Sequence, residues 1–77
     1  MAMVKVYSTQ SCPYCFMAKD FLKDNGIAFE DIDVSSDRNA AMEMVKKSGQ
    51  QGVPVIDING KIIVGFDKEA IKKELKL

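Results

Sequence analysis

Met3-Val4-Lys5-Val6-Tyr7, then Ser8-Thr9-Gln10-Ser11, then Cys12-Pro13-Tyr14-Cys15: a run of β-formers, a polar gap and a helix opening decide how this chain folds. Met3 to Tyr7 predicts a strand and Ser8 to Ser11 a loop. Pro13 suits the first position of a helix, where its missing N–H would have had no partner. Tyr14, Met17, Ala18, Phe21 and Leu22 follow at helical spacing and predict one apolar stripe. Asn25-Gly26 ends the helix, the glycine supplying a left-handed cap.

Downstream, Ala28 to Val34 predicts a second strand. Ser35, Ser36 and Asp37 are candidate caps for a second helix, with Ala41, Met44 and Val45 along its inner face. Gly49 and Gly52 mark the following loop. Pro54 to Ile58 and Lys61 to Val64 flank Asn59-Gly60, which supplies the positive φ angles of a type I′ turn and predicts a β-hairpin. Phe66-Asp67 opens a third helix: Asp67 caps it, and Phe66 and Ile71 stand at the positions of a hydrophobic staple. Ala70, Ile71 and Leu75 face inward. The order is β-α-β-α-β-β-α. The helix between the first two strands makes them parallel, with a right-handed crossover. The expected fold class is α/β, thioredoxin-like: a four-stranded mixed sheet with three helices, in a single domain spanning 1–77.

The 77 residues are 47% apolar and 29% charged, ordinary for a globular domain. A domain this small buries only about 60% of the surface its unfolded chain exposes. Eleven basic residues balance eleven acidic ones, so no charge excess points to nucleic acid or anionic lipid. The lysines after Lys68 are interleaved with Glu69, Glu74 and apolar residues and read as a solvated face. Met1-Ala2-Met3-Val4-Lys5-Val6 shows neither a signal peptide nor a membrane span, which points to the cytoplasm. Structural disulfides are rare there, so two cysteines point to catalysis or metal binding.

A Cys-x-x-Cys pair opening a helix after a strand has a chemical logic. The thiolate is the nucleophile, and a free cysteine, with a pKa of about 8.5, is mostly protonated at neutral pH. The helix N-terminus aims unpaired N–H groups and its positive dipole end at Cys12, favouring the thiolate. Cys15 lies one turn deeper, within reach. The expectation is an exposed, activated Cys12 and a reserve Cys15. Zinc would need further ligands, and the chain has no His and no other Cys, so a second chain would have to supply them. A structural disulfide would close a tiny loop in a reducing compartment. The redox-active pair is the preferred reading.

Cys12-Pro13-Tyr14-Cys15 resembles the glutaredoxin active site. Gly52-Val53-Pro54 is similar to that family's Thr-Val-Pro, where the proline is cis, and Gly65-Phe66-Asp67 resembles its glycine turn with an acidic residue at the last helix. The spacing holds from Met3 to the C-terminus. The resemblance implies that Cys12 attacks and Cys15 resolves. It implies glutathione or substrate contacts at Pro13, Tyr14, Gln51, Val53, Pro54, Gly65, Phe66 and Asp67. Val53 would present its backbone to the substrate. The start of the last helix would hold the γ-glutamyl end of glutathione, its N–H groups on the carboxylate and Asp67 on the ammonium. Tyr7 reads as sheet packing.

There are departures. Many glutaredoxins carry a lysine where this chain has Thr9, and an arginine or lysine where it has Gln51. Without those cations glutathione binding is expected to weaken, although Thr9, Gln50 and Gln51 can still donate hydrogen bonds. Gly52 in place of threonine is unusual. Gly65-Phe66, where many glutaredoxins have two glycines, resembles the NrdH-type redoxins, which thioredoxin reductase reduces. Three functions are carried forward. The first is glutathione-linked reduction of protein disulfides and glutathione mixed disulfides, with glutathione as co-substrate, no tightly bound cofactor and no metal, by a monomer. The second is an NrdH-like redoxin partnered by thioredoxin reductase. The third is glutathione-dependent iron–sulfur cluster binding, which Tyr14 disfavours.

Overall fold

Strand β1 (Val4–Ser8) is buried at every position but Lys5, as expected of a strand with neighbours on both sides. The computed structural model describes residues 3–77. Met1 and Ala2, part of the stretch read for a leader, lie outside the described residues. β1 pairs in parallel with β2 (Glu30–Asp33) and antiparallel with β3 (Val55–Ile58); β4 (Lys61–Val64) completes a sheet of order β2-β1-β3-β4. Three helices join or follow these strands: α1 (Pro13–Asp24), α2 (Arg38–Ser48) and α3 (Lys68–Leu75). This is the expected mixed four-stranded architecture.

Alternation along the strands divides the interior in two. Val4, Val6, Ile56 and Ile58 face Ala18 and Leu22 of α1 and Ile71 of α3, with Phe66 packed alongside. Tyr7 and Val55 face Met44 of α2 on the other side. Leu22, Ile56 and Ile71 are fully buried, each contributing roughly 1.5–3 kcal/mol of apolar burial. The edge strand β2 carries exposed Glu30 and Asp31, charges that discourage pairing with another chain.

Local rules hold at the helix and hairpin ends. Asp37 Oδ1 accepts from the Ala40 N–H at 3.1 Å and Asp67 Oδ1 from the Ala70 N–H at 3.2 Å, so Asp37, rather than Ser35 or Ser36, caps α2. Asn59 and Gly60 have φ of 53° and 91°, as a type I′ turn requires. The Asn59 side chain also accepts from the Met3 N–H at 2.8 Å, tying the hairpin to the start of the sheet.

Two expectations need correction. The inner face of α1 is Cys15, Ala18 and Leu22, not the stripe that began at Tyr14. Tyr14 is 62% exposed and Met17 nearly half exposed, because at 100° per residue both lie off the face that Cys15, Ala18 and Leu22 turn inward. β2 is shorter than Ala28–Val34, because β1 offers partners only from Glu30 to Asp33.

Candidate functional site

Three chain segments meet at the end of the sheet where β1 finishes. β1 delivers residues 9–12 there. β3 begins there, Val55 opposite Tyr7, which places Val53 and Pro54 beside Cys12. β4 ends there, Val64 opposite Val55, and the Gly65 N–H donates to the Pro54 carbonyl at 2.8 Å. Gly65 has φ of 81°, a conformation only glycine adopts without cost; it turns the chain from β4 into Phe66 and Asp67. The topology therefore gathers Cys12, Pro13, Tyr14, Cys15, Val53, Pro54, Gly65, Phe66 and Asp67 at one end. Gln51 stands beside them, exposed. The Val53-Pro54 peptide is cis, as the resemblance implied.

Cys12 is the N-cap of α1. Its Sγ accepts from the Cys15 N–H at 3.2 Å, and its thiol lies 3.9 Å from the Val53 carbonyl. Cys12 is 8% exposed and Cys15 0%. The expectation of a freely exposed Cys12 is corrected: the Val53 carbonyl and the helix turn close around the sulfur and leave a narrow approach. A short N–H aimed at Sγ stabilises charge there whenever the sulfur attacks or departs.

Cys15 is the better protected thiol. Burial pushes it up to about 11, together with its hydrogen bond to Cys12; a backbone hydrogen bond with Thr9 acts the other way, Cys12 charge adds to the rise, and the Lys19 cation opposes it. Lys19 stands four residues after Cys15, on the same helix face. Its Nζ donates to Ser8 Oγ at 3.4 Å and to Asp31 Oδ2 at 3.0 Å, and Ser8 Oγ donates to Asp31 Oδ1 at 2.9 Å. Sequence reading missed this lysine, although its spacing from Cys15 was a usable signal.

Gln50 plays a different part from the one expected of it. Its side-chain amide brackets the Gly52 backbone, accepting from the Gly52 N–H at 2.6 Å and donating to the Gly52 carbonyl at 2.9 Å. The Gln50 donor is thus used internally and is not free for a ligand, contrary to expectation. The clamp also accounts for glycine at 52. A Cβ there would lie 2.6 Å from Gln50 Oε1, so any larger residue displaces the amide. Gly52→Ala is expected to cost about 1 kcal/mol through the lost hydrogen bonds, and close to nothing in a Gln50→Ala background. Urea unfolding of the four proteins in the cycle checks this; additive costs would show that the clamp is not what alanine disturbs.

Known proteins resemble the chain over most of its length. The glutaredoxin family model matches residues 4–63. A glutaredoxin-like 8.6 kDa protein in the rubredoxin operon of Clostridium pasteurianum is 49% identical over 71 residues, covering 92% of this chain and 95% of that one. Glutaredoxin 3 of Escherichia coli is 37% identical over 67 residues, covering 87% of this chain and 81% of its own. Among solved structures, the glutaredoxin from Archaeoglobus fulgidus superposes with a TM-score of 0.89 at 28% identity, covering 100% of this chain and 89% of that one.

Proposed function

The chain belongs to the glutaredoxin family and is a thiol–disulfide oxidoreductase, and from that premise we propose that it reduces protein disulfides and glutathione mixed disulfides through Cys12 and Cys15, with glutathione as electron donor. The observation that carries this reading is the setting of the two sulfurs. Cys12 Sγ sits at a helix N-terminus under the Cys15 N–H, and a buried thiol waits one turn on.

Cys12 thiolate attacks one sulfur of the substrate disulfide. The Cys12–substrate bond forms, the substrate S–S bond breaks, and the departing thiolate takes up a proton. Cys15 then gives up its proton and attacks Cys12 Sγ. The Cys12–Cys15 disulfide forms and the second substrate thiol leaves. Two glutathione thiols, supplying one electron each, restore the dithiol and depart as glutathione disulfide. With a glutathionylated substrate, a free glutathione replaces Cys15 in the second step. Val53 aligns the substrate backbone beside Cys12. The first turn of α3 holds the γ-glutamyl carboxylate. Asp67 uses Oδ1 as the helix cap and offers its other oxygen to the ammonium. Pro13, Tyr14, Gln51, Pro54, Gly65 and Phe66 complete the walls. The protein acts as a cytoplasmic monomer.

A second reading, reduction by thioredoxin reductase, is favoured by one set of observations: Thr9 and Gln51 bring no cation to the site, and the Gln50 amide is taken by Gly52. Turnover of a glutathione mixed disulfide with two electron sources separates the readings. Glutathione with glutathione reductase and NADPH is expected to support turnover, and thioredoxin reductase with NADPH is not. The reverse pattern would move the chain to the second reading, and silence with both would remove the oxidoreductase assignment of Cys12.

A further inference from the structure

On the α2 side of the molecule an apolar groove of about 900 Å³ runs beside the helix, lined by Val34, Ala41, Met42 and Val45 with Arg38 and Lys46 among its walls. We propose that this groove receives the segment flanking the reactive cysteine of a protein substrate, and that it selects a segment that is apolar and carries acidic side chains. The inference rests on the disulfide-reducing role proposed above and names the substrate class for that role.

β2 ends at Asp33, opposite Ser8, and β3 begins at Val55, opposite Tyr7. Both connections of α2 therefore return to the end of the sheet that carries Cys12. Val34 and Gln51, which line the groove, belong to those two connections. Gln51 stands two residues before Val53, whose carbonyl faces Cys12 Sγ. Gln51 thus ties the groove to the backbone that faces Cys12.

Glu43 shares Lys47, at 3.2 Å, with the nearer Asp57 at 2.8 Å. Arg38 and Lys46 hold no ion pair among the described residues, so the groove presents two unpaired cations against one partly compensated anion. Arg38 opens α2 directly after its acidic cap Asp37, and no acidic residue follows it in the first turn. A cation there opposes the helix dipole, so helix stability gives no reason for it. An acidic partner does.

Size and surface agree. Met42 is 65% exposed, and methionine adapts to varied apolar side chains. The volume exceeds what one side chain fills and suits a short stretch of chain.

The test uses two short disulfide peptides with the same apolar core, one flanked by aspartates and one by lysines, together with the glutathione mixed disulfide of 2-mercaptoethanol. Wild-type protein is expected to favour the acidic peptide by about fivefold in kcat/KM, from two solvent-exposed charge pairs, with the preference fading at high salt. Arg38→Glu with Lys46→Glu should reverse the preference and leave the small mixed disulfide within about twofold. Met42→Gln should weaken both peptides alike. Unchanged peptide preference in the charge-reversed protein would overturn the proposal. So would a parallel loss on the small disulfide, which would assign the cations to glutathione. Fluorescence anisotropy with the same peptides, cysteines replaced by alanine, reads the groove without turnover. If no disulfide is reduced but the acidic peptide still binds better, the redox reading fails and the groove stands; equal binding overturns the groove.

Discussion

Replacing Cys12 with serine is expected to abolish disulfide reduction, lowering turnover by at least about a thousandfold, because a hydroxyl at this position neither ionises at neutral pH nor forms the mixed disulfide. Cys15→Ser has a different expected result. Glutathione can still resolve a Cys12–glutathione bond, so a glutathionylated substrate continues to turn over, while reduction of an intramolecular protein disulfide stalls at the covalent complex. The two variants thus separate one-thiol and two-thiol chemistry on the same fold. The pH dependence sharpens the contrast. Cys15 lies up at about 11 in the dithiol, from burial first and from its contacts with Cys12 second. Once Cys12 is tied up in a mixed disulfide it carries no charge, so its charge contribution disappears and burial remains. Attack by Cys15 is therefore expected to speed up with rising pH, by about tenfold per unit while the pH stays well below its pKa. Rapid-quench release of the second peptide thiol measures this between pH 6 and about pH 9. Full activity in Cys12→Ser would show that the nucleophile is misassigned; a flat profile would show that burial of Cys15 does not control resolution.

Lys47→Met is expected to be strongly destabilising. Lys47 Nζ donates to Asp57 Oδ2 and to Tyr7 OH, each at 2.8 Å, and lies 3.2 Å from Glu43. Its side chain is 26% exposed and that of Asp57 only 11%. Removing the cation leaves a buried carboxylate with the Gly60 N–H and strips Tyr7 OH of its donor. The expected cost is about 3 kcal/mol, at the low end for breaking a buried pair because Lys47 is partly solvated. Asp57→Asn should cost less, since the released lysine still has Glu43 and solvent, and the double variant should cost less than the sum.

The sign of the pH dependence distinguishes these cases. Burial pushes the Asp57 carboxyl up, but the hydrogen bonds from Lys47 and the Gly60 N–H, with the charges of Lys47 and Lys5, outweigh it and hold the group below the ordinary carboxylate range. A group depressed in the folded state contributes stability that is present above its unfolded pKa, about 3.9, and is lost as pH falls through the folded value. The hydrogen bond to Asp57 and that to Tyr7 raise Lys47 above its ordinary range, against burial. Its contribution is full below about pH 10.4 and is lost only as pH rises through the higher folded value. Wild-type stability should therefore show no loss from this pair between pH 5 and about pH 10. In Lys47→Met, burial is opposed only by the Gly60 N–H and the Lys5 charge, the folded pKa moves up from its depressed value, and the variant should lose less stability than the wild type as pH falls towards 4. Urea unfolding at several pH values checks it; parallel curves for the two proteins would remove Asp57 as the group responsible.

Most of the fold was legible because it rests on local chemistry. Pro13 fits where a helix starts, Asn59-Gly60 where a hairpin turns, and Asp67 where a helix needs an acceptor; each side chain carries its reason within a few residues. The family was legible for a related cause, since Cys12 to Cys15, Val53-Pro54 and Gly65 to Asp67 keep their spacing over the whole chain. What escaped depends on contacts distant in the sequence. The closure around Cys12 comes from Val53, and the anchoring of α2 comes from Asp57 reaching back to Lys47. The Gln50 clamp on Gly52 escaped for another reason. Its spacing to Gly52 is local, yet the significance of glycine at 52 lies in what a Cβ would strike. Tyr14 misled because periodicity reports a stripe without saying which face of the helix turns inward.

The carbonyl that faces Cys12 lies 41 residues further along the chain. During synthesis the two thiols leave the ribosome before that carbonyl does. At roughly 5–20 residues per second, the interval is on the order of 2–8 s. Over that time β1 lacks β3, and neither sulfur has the enclosure that the finished domain provides. The nascent chain thus carries an open dithiol through a window when oxidants and metal ions can reach it, and completion of the β3 pairing is the event that closes it.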